Sequence, residues 1–330
     1  MTMTDSARIA TNDKSNGKDS LFWQITGILA VYLTICAVFL WAGGKNLPAV
    51  EGRLNQVKVI QSNGKYKPSG ARGIALDREG NIYVTDGRND RVLTFYSNGR
   101  FRGVIGVSSR EAADGPKNPV SVAVHGDKVF VGSFGTGEIL VYSRKGKLLD
   151  TLPHKEDRLN LPAIHPLVMT SDSKGNLYAG DGKDHFIAVF DAEGKLQLIF
   201  GRPGYGNTEV SSVNGLAVDE PGRRIIVMSS GVLKVLIFNM DGKLLQEVSY
   251  NNNGQNIFIA PRGLAYDAGS GTIYIADSIL DTVFAVDDQG RILARSPNIG
   301  LEYPHGLTLG PGGYVYVTQR ELGKISVLNP

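Results

Sequence analysis

Arg72, Val120, Leu167, Asn214, Arg262 and His305 occupy one position of a recurring sequence unit, at spacings of 48, 47, 47, 48 and 43 residues. Two guanidiniums and an imidazole at such positions suit an anion, because a guanidinium offers a rigid fork of N–H donors and repels a cation. They do not suit a metal ion: catalytic zinc is usually held by three protein ligands, and a single imidazole stands among the six. His165 misses its own repeat's position by two residues, and His125, His154 and His185 fall at or beside predicted turns as solvated loop residues. Asp86, Asp181 and Asp277 end the second β-rich run of alternate units, with Ser133, Ser230 and Gln319 between them. They could form an acidic ring, but a carboxylate at a strand end commonly accepts N–H groups of the following turn, and that structural role is expected here. The sole cysteine, Cys36, lies in an apolar segment, so no Cys-His pair is available, and no Ser-His-Asp set is identifiable either. The residue chemistry therefore favours binding over catalysis, with no catalytic residue, metal or cofactor expected.

The elements that must position these residues are legible in the unit at 72–105. Gly73–Asp77 alternates small and apolar residues, and Ile82–Thr85, Val92–Phe95 and Phe101–Ile105 are β-rich runs. The turn after the third run carries Asn98-Gly99, repeated as Lys145-Gly146, Glu193-Gly194, Asp241-Gly242 and Gln289-Gly290, where glycine supplies the positive φ of a tight hairpin. Each unit is thus a four-stranded antiparallel meander, and a fixed period of this size means stacked supersecondary units sharing a core. The sixth unit ends at Ile325–Leu328 and has no room for a fourth strand. Leu54–Ile60 is an orphan strand before the first unit, and as the outer strand of the sixth it would close the ring without an open edge. The expected fold is all-β: a six-bladed β-propeller over residues 54–330, closed by an N-terminal strand.

Residues 21–43 carry no charged side chain and are long enough to cross a hydrocarbon core as a helix, with Trp23 and Trp41 near the ends. The expected organisation is a polar tail at 1–20, one transmembrane helix at 21–43, a linker at 44–53 and the propeller. Basic residues balance on the two sides of the segment; the short polar tail, followed by a large folded domain, resembles a signal anchor and places the propeller outside the cytoplasm. The ten-residue linker reaches at most roughly 33 Å and is expected to arrive at the face of tight turns. A net charge of +3, evenly spread, excludes the basic stripe of a nucleic-acid surface.

The motif G-[IL]-A-[LV]-D, then G-N-I-Y-V-x-D and R-V, stands here as Gly73 to Asp77, Gly80 to Asp86 and Arg91-Val92, with strong copies at Gly215 and Gly263. It resembles the NHL repeat over residues 54–330. The resemblance implies a six-bladed propeller, and NHL propellers include protein-binding modules, RNA binders, sensor domains, lyases and lactonases. The related amidating lyases hold a metal on three P-H-[G/S/D] turns, of which Pro304-His305-Gly306 is matched. The gluconolactonase family resembles this chain at Asn214-Gly215-Leu216, its metal-binding asparagine motif, but Arg262 stands where that family has an aspartate. A propeller hydrolase or lyase is the alternative reading.

In this strand order the long, individual connections, Val107–Pro119, Pro153–Pro166, Arg202–Ser212 and Ser249–Pro261, share one face, the better binding candidate. Arg262, His305 and Arg72 fall on blades five, six and one, which ring closure makes neighbours; Val120 and Leu167 lie across the opening, with Asn214 completing the set. A funnel with a basic and an apolar side suits a protein partner or an anionic ligand with an apolar portion.

Overall fold

The alternation of β-rich runs and turn residues produces 27 strands in chain order among the described residues of the protein's structure, a computed structural model. The residues described are 50–330 apart from 63, 107–114, 162, 202–209, 253 and 298. The tail, the apolar segment 21–43, linker residues 44–49 and parts of two long connections therefore lie outside them. No helix among the described residues is long and apolar enough to cross a membrane.

Six antiparallel sheets form the blades. Blade 1 is β3 (Ile74–Leu76), β4 (Ile82–Asp86), β5 (Arg91–Phe95) and β6 (Phe101–Ile105), close to the sequence reading. Blade 2 is β7 (Pro119–His125) to β10 (Leu148–Leu152), and blade 3 is β11 (Pro166–Ser171) to β14 (Leu196–Phe200). Blade 4 runs from β15 (Val213–Asp219) to β18 (Leu244–Val248), and blade 5 from β21 (Pro261–Asp267) to β24 (Ile292–Arg295). Blade 6 takes β25 (Pro304–Leu309), β26 (Val315–Gln319) and β27 (Lys324–Leu328), and its outer strand is β2 (Gln56–Gln61). The N-terminal strand thus closes the ring, pairing antiparallel with β27 from Gln56↔Leu328 to Gln61↔Lys324.

Middle strands are apolar on both sides because each blade is sandwiched between two others; β4 and β22 (Thr272–Asp277) are buried along their whole length. Outer strands such as β18 alternate half-buried and exposed positions, as a half-covered sheet must. Apolar clusters accordingly lie between blades, for example Ala75, Tyr83 and Val92 of blade 1 against Val122, Val131 and Tyr142 of blade 2. The hairpin glycines take the left-handed conformation read from the sequence, with φ from 77° at Gly242 to 89° at Gly99.

Two features extend the sequence reading. Gly52–Arg53 (β1), read as the end of the linker, adds a short parallel fifth strand to β24, with Gly52 opposite Ala294 and Arg53 opposite Arg295. Leu54 follows, its N–H still donating to the Arg295 carbonyl at 3.1 Å; it is 1% exposed and clusters with Tyr274 and Val283 of blade 5 and Leu307 and Val317 of blade 6. The closing segment is held by a wedge between two blades as well as by strand pairing.

Candidate functional site

The inner strands β3, β7, β11, β15, β21 and β25 line a central cavity of ≈ 310 Å³, and all six equivalent residues, Arg72, Val120, Leu167, Asn214, Arg262 and His305, contribute to its wall. Each marks the entrance of its inner strand on the face of long connections. The end of the neighbouring second strand fixes that entrance. Asp86 Oδ1 accepts the Ser69 N–H at 2.7 Å, Ser133 Oγ that of Lys117 at 2.8 Å, and Asp181 Oδ2 that of His165 at 2.7 Å. Ser229 Oγ, Asp277 Oδ2 and Gln319 Oε1 accept from Ser211, Ile259 and Glu302 in the same way.

These residues are latches and none of them lines the cavity. The blade 4 member is Ser229, paired opposite Val213, and not Ser230 as the motif spacing indicated. Asp277 also accepts the N–H groups of Ala260, Ile279 and Leu280. Burial raises its carboxyl above the ordinary range, and those four backbone donors oppose the rise.

The glycine that follows the entrance residue is required by close approach of successive inner strands. A Cβ at Gly263 would lie 2.1 Å from the His305 carbonyl oxygen, and one at Gly306 2.1 Å from that of Arg72. Backbone contact thereby sets Arg262, His305 and Arg72 side by side. Thr318 Oγ1 ties the last two further, donating to the Arg72 carbonyl at 3.2 Å while accepting from Gly306 N–H at 2.8 Å.

The six positions are not equivalent in access. Val120 is 1% exposed and Asn214 6%, the latter spending its amide on Ser212 Oγ at 3.1 Å, whereas Arg72, Leu167, Arg262 and His305 keep surface in the opening. Arg72 and Arg262 have no side-chain hydrogen bond or ion pair among the described residues. A third guanidinium joins them: Arg320, directly after β26, has a buried Nε with no hydrogen-bond partner. That Nε is 3.5 Å from Glu321 Oε1, while Glu321 Oε2 accepts from Arg88 at 3.1 Å.

Burial, then Arg320 and Arg262, hold Arg72 below the ordinary guanidinium range; Glu321 opposes this and Arg88 adds to it. Burial, followed by the charges of Arg72, Arg262 and Arg320, pushes His305 down to about 3, although part of its ring still meets the channel. His305 is therefore a neutral hydrogen-bonding group set among cations.

Sequence reading missed Arg320 because it stands on a turn rather than at the recurrent entrance position. The available signal was the residue after each second strand, which is Gly87, Phe134, Gly182, Ser230, Ser278 and Arg320. Four are small; the two large ones stand behind wall residues, Arg320 acting electrostatically on Arg72 and His305 and Phe134 lying near Leu167. The Phe134 ring packs edge-on to His165 at 5.5 Å, and a Cβ on Gly182 would touch both Phe134 and Leu167, so Phe134 extends the apolar side.

His165 Nδ1 is buried without a hydrogen-bond partner, 3.8 Å from Asp181 Oδ2. His185 adopts positive φ, also with a buried, unpartnered Nδ1. His154 is not simply solvated: its Nε2 pairs with Asp150 Oδ2 at 2.9 Å, a hydrogen bond that raises its pKa. No group of three His, Cys, Asp or Glu side chains that could hold a metal occurs among the described residues.

Strand order and blade count define a six-bladed β-propeller with a basic and an apolar arc at one mouth of its channel. Among solved structures, the chain is similar to a streptogramin B lyase at 16% identity and a TM-score of 0.60, over 82% of this chain and 97% of that one. It is similar to a chain of the nidogen–laminin complex at 18% identity and a TM-score of 0.58, over 72% and 84%. A catalytically inactive histidine variant of virginiamycin B lyase from Staphylococcus aureus with quinupristin matches at 14% identity and a TM-score of 0.58, over 83% and 99%. At these identities the likeness is one of fold. Among curated proteins, the uncharacterized protein YncE of Escherichia coli O157:H7 is 28% identical over 167 residues, and protein brain tumor of Drosophila melanogaster 25% over 131. Those alignments cover 48% and 39% of this chain but only 42% and 12% of the relatives' own lengths. No family model matches the sequence.

Proposed function

We propose that the chain is an NHL-type propeller tethered to a membrane by residues 21–43, with its propeller outside the cytoplasm, acting as a binding or scaffold module for an anionic partner. The observation that carries the binding reading is the pair of guanidiniums, Arg72 and Arg262, without a side-chain partner among the described residues, near Arg320 on the same face. Like charges gathered in a partly buried place repel and are poorly hydrated, so the arrangement favours an anion that supplies the missing acceptors. The constant blades with individual connections on this face provide a rigid frame for recognition. A chain of the nidogen–laminin complex is an instance of a similar fold in a protein complex.

The alternative is a propeller hydrolase or lyase, which the lyases of similar fold keep in view. Against it, His305 is the one imidazole in the cavity wall among the described residues, and a ring whose pKa is pushed down to about 3 is a weak general base. A stoichiometric, tightly held divalent metal in the purified chain would favour this alternative.

The binding reading is tested with the full chain in neutral detergent, following thermal unfolding of the propeller as benzoate is added. Benzoate should raise the unfolding temperature of the wild type through preferential binding to the folded state. Arg72→Ala/Arg262→Ala should lose that rise, by more than either single change, while keeping its own cooperative transition. An equal rise in the double variant would place anion binding elsewhere.

A further inference from the structure

Among the described residues, the positive charge at the mouth exceeds what a single carboxylate answers. Arg320, Arg262 and Arg88 act electrostatically on Arg72 there, and Glu321 is the one carboxylate acting on it among the described residues. Glu321 is already committed, accepting from Arg88 at 3.1 Å and lying 3.5 Å from Arg320 Nε. Arg72 and Arg262 remain without an ion pair among the described residues, Arg320 has only its share of Glu321, and the three come from consecutive blades around His305.

A carboxylate has two oxygens in one plane and one charge, and is matched by one guanidinium fork. Forks that converge from three blades need acceptors pointing in several directions and more than one negative charge. A tetrahedral oxyanion provides both, and its three oxygens carry nearly two charges at neutral pH, since the second ionisation of a phosphate monoester lies near pH 6. His305 adds a neutral ring able to donate one hydrogen bond without further cationic repulsion.

Opposite this arc the wall is apolar: Leu167 keeps exposed surface, Val120 is buried in the same wall, and Phe134 of the blade 2 turn comes close to Leu167 around Gly182, where a Cβ would stand 2.9 Å from Leu167 and 3.1 Å from Phe134. The cavity of ≈ 310 Å³ can take a ring-sized body, falling near the low end of the roughly 300–1,000 Å³ range of small-molecule sites.

Resting on the anion-binding reading above, we propose that the mouth recognises a phosphate monoester carried on an apolar or aromatic body, with Arg72, Arg262 and Arg320 on the phosphate and Leu167 and Phe134 against the body. Arg320 sets the preference for phosphate over carboxylate, because it supplies the third fork.

The experiment measures the affinities of phenyl phosphate, inorganic phosphate and benzoate for the full chain in neutral detergent by calorimetry at pH 7.5 and constant ionic strength. Phenyl phosphate is expected to bind at least about tenfold more tightly than either other probe, one extra charge-assisted contact giving on the order of that factor. Arg320→Gln should bring phenyl phosphate down to the level of benzoate while changing benzoate itself less than about threefold. Arg320→Lys should restore only part of the preference, since it returns the charge without the fork. Unfolding temperatures of both variants, measured alongside, separate loss of binding from loss of fold.

Benzoate binding as tightly as phenyl phosphate, with both lost in Arg72→Ala/Arg262→Ala, would overturn the phosphate preference and leave the anion site standing. Inorganic phosphate binding as tightly as phenyl phosphate would remove the apolar arc from the site. No binding of any probe at millimolar concentration would overturn both the preference and the reading beneath it.

Discussion

At the scale of single residues, the mouth depends on side chains whose ionisation is set by their neighbours. His305 titrates far below the ordinary imidazole value of about 6.5, so between those limits the unfolded chain binds a proton that the folded chain refuses. Stability is then insensitive to this group above about pH 6.5 and falls as pH drops below it, by at most about 1.4 kcal/mol per pH unit. Denaturant titrations of the wild type and His305→Gln at pH 7.5, 6.0 and 5.0, above most carboxylate titrations, should show a shallower acid loss in the variant. Equal slopes would mean that His305 takes up a proton readily in the fold. The neighbouring glycines act through bulk rather than charge: Gly263 and Gly306 let two inner strands approach until a Cβ would overlap a carbonyl oxygen. In blade 2 the equivalent residue is Ser121, whose hydroxyl instead donates to the Pro166 carbonyl at 2.6 Å, so one degenerate copy of the motif has a physical replacement for close contact.

At the scale of elements, closure is the decisive event. β2 supplies the outer edge of blade 6, β1 lies on the outer edge of blade 5, and Leu54 between them is buried among residues of both. Asn55 and Asn329 tie the closing segment to the last strand, with Asn55 N–H donating to Asn329 Oδ1 at 2.7 Å and Asn329 N–H to the Asn55 carbonyl at 3.0 Å. Leu54→Ala should therefore cost about 2–5 kcal/mol, the range for emptying a well-packed leucine site, and lower the unfolding temperature of the entire propeller. Val57→Ala, on the same segment but 54% exposed, should be nearly neutral. Comparable losses in both would mean that general strand propensity, not the wedge, holds the ring shut. Tight turns on the opposite face are cross-linked between blades as well: Arg224 of blade 4 bonds Asp219 at 2.9 Å and Asp288 of blade 5 at 2.9 Å.

At the scale of the whole molecule, the fold separates a constant face from a variable one, and the proposed tether bears on which compartment sees the mouth. Cys36 is the sole native cysteine and lies within the segment read as spanning, so a new surface cysteine reports cleanly. Ser97→Cys, on an exposed tight turn, and Val232→Cys, on an exposed turn of the other face, should both react in intact cells with a membrane-impermeant maleimide. Protection of both until the membrane is opened would place the propeller in the cytoplasm. The same measurement bears on the ligand, because labelling of both in intact cells requires a phosphate monoester to reach the mouth from outside the cell membrane.

What the chain determines by itself is the set of features written in local periodicity. Two-residue alternation, hairpin glycines and a period near 47 residues specify four-stranded blades, their number and the missing strand that β2 supplies. The entrance position was legible for the same reason, since it recurs at fixed distance from the motif glycine. Tertiary structure alone decided which of those positions remain open, burying Val120 and Asn214 and leaving Arg72, Leu167, Arg262 and His305 accessible. It also brought in Arg320 and Phe134, which belong to turns and carry no periodic signature, and turned Leu54 from a strand residue into a wedge. The physical reason is distance along the chain: the mouth is assembled by ring closure, through contacts such as Thr318 to Arg72 across 246 residues, and no local pattern encodes which side chains that closure brings face to face.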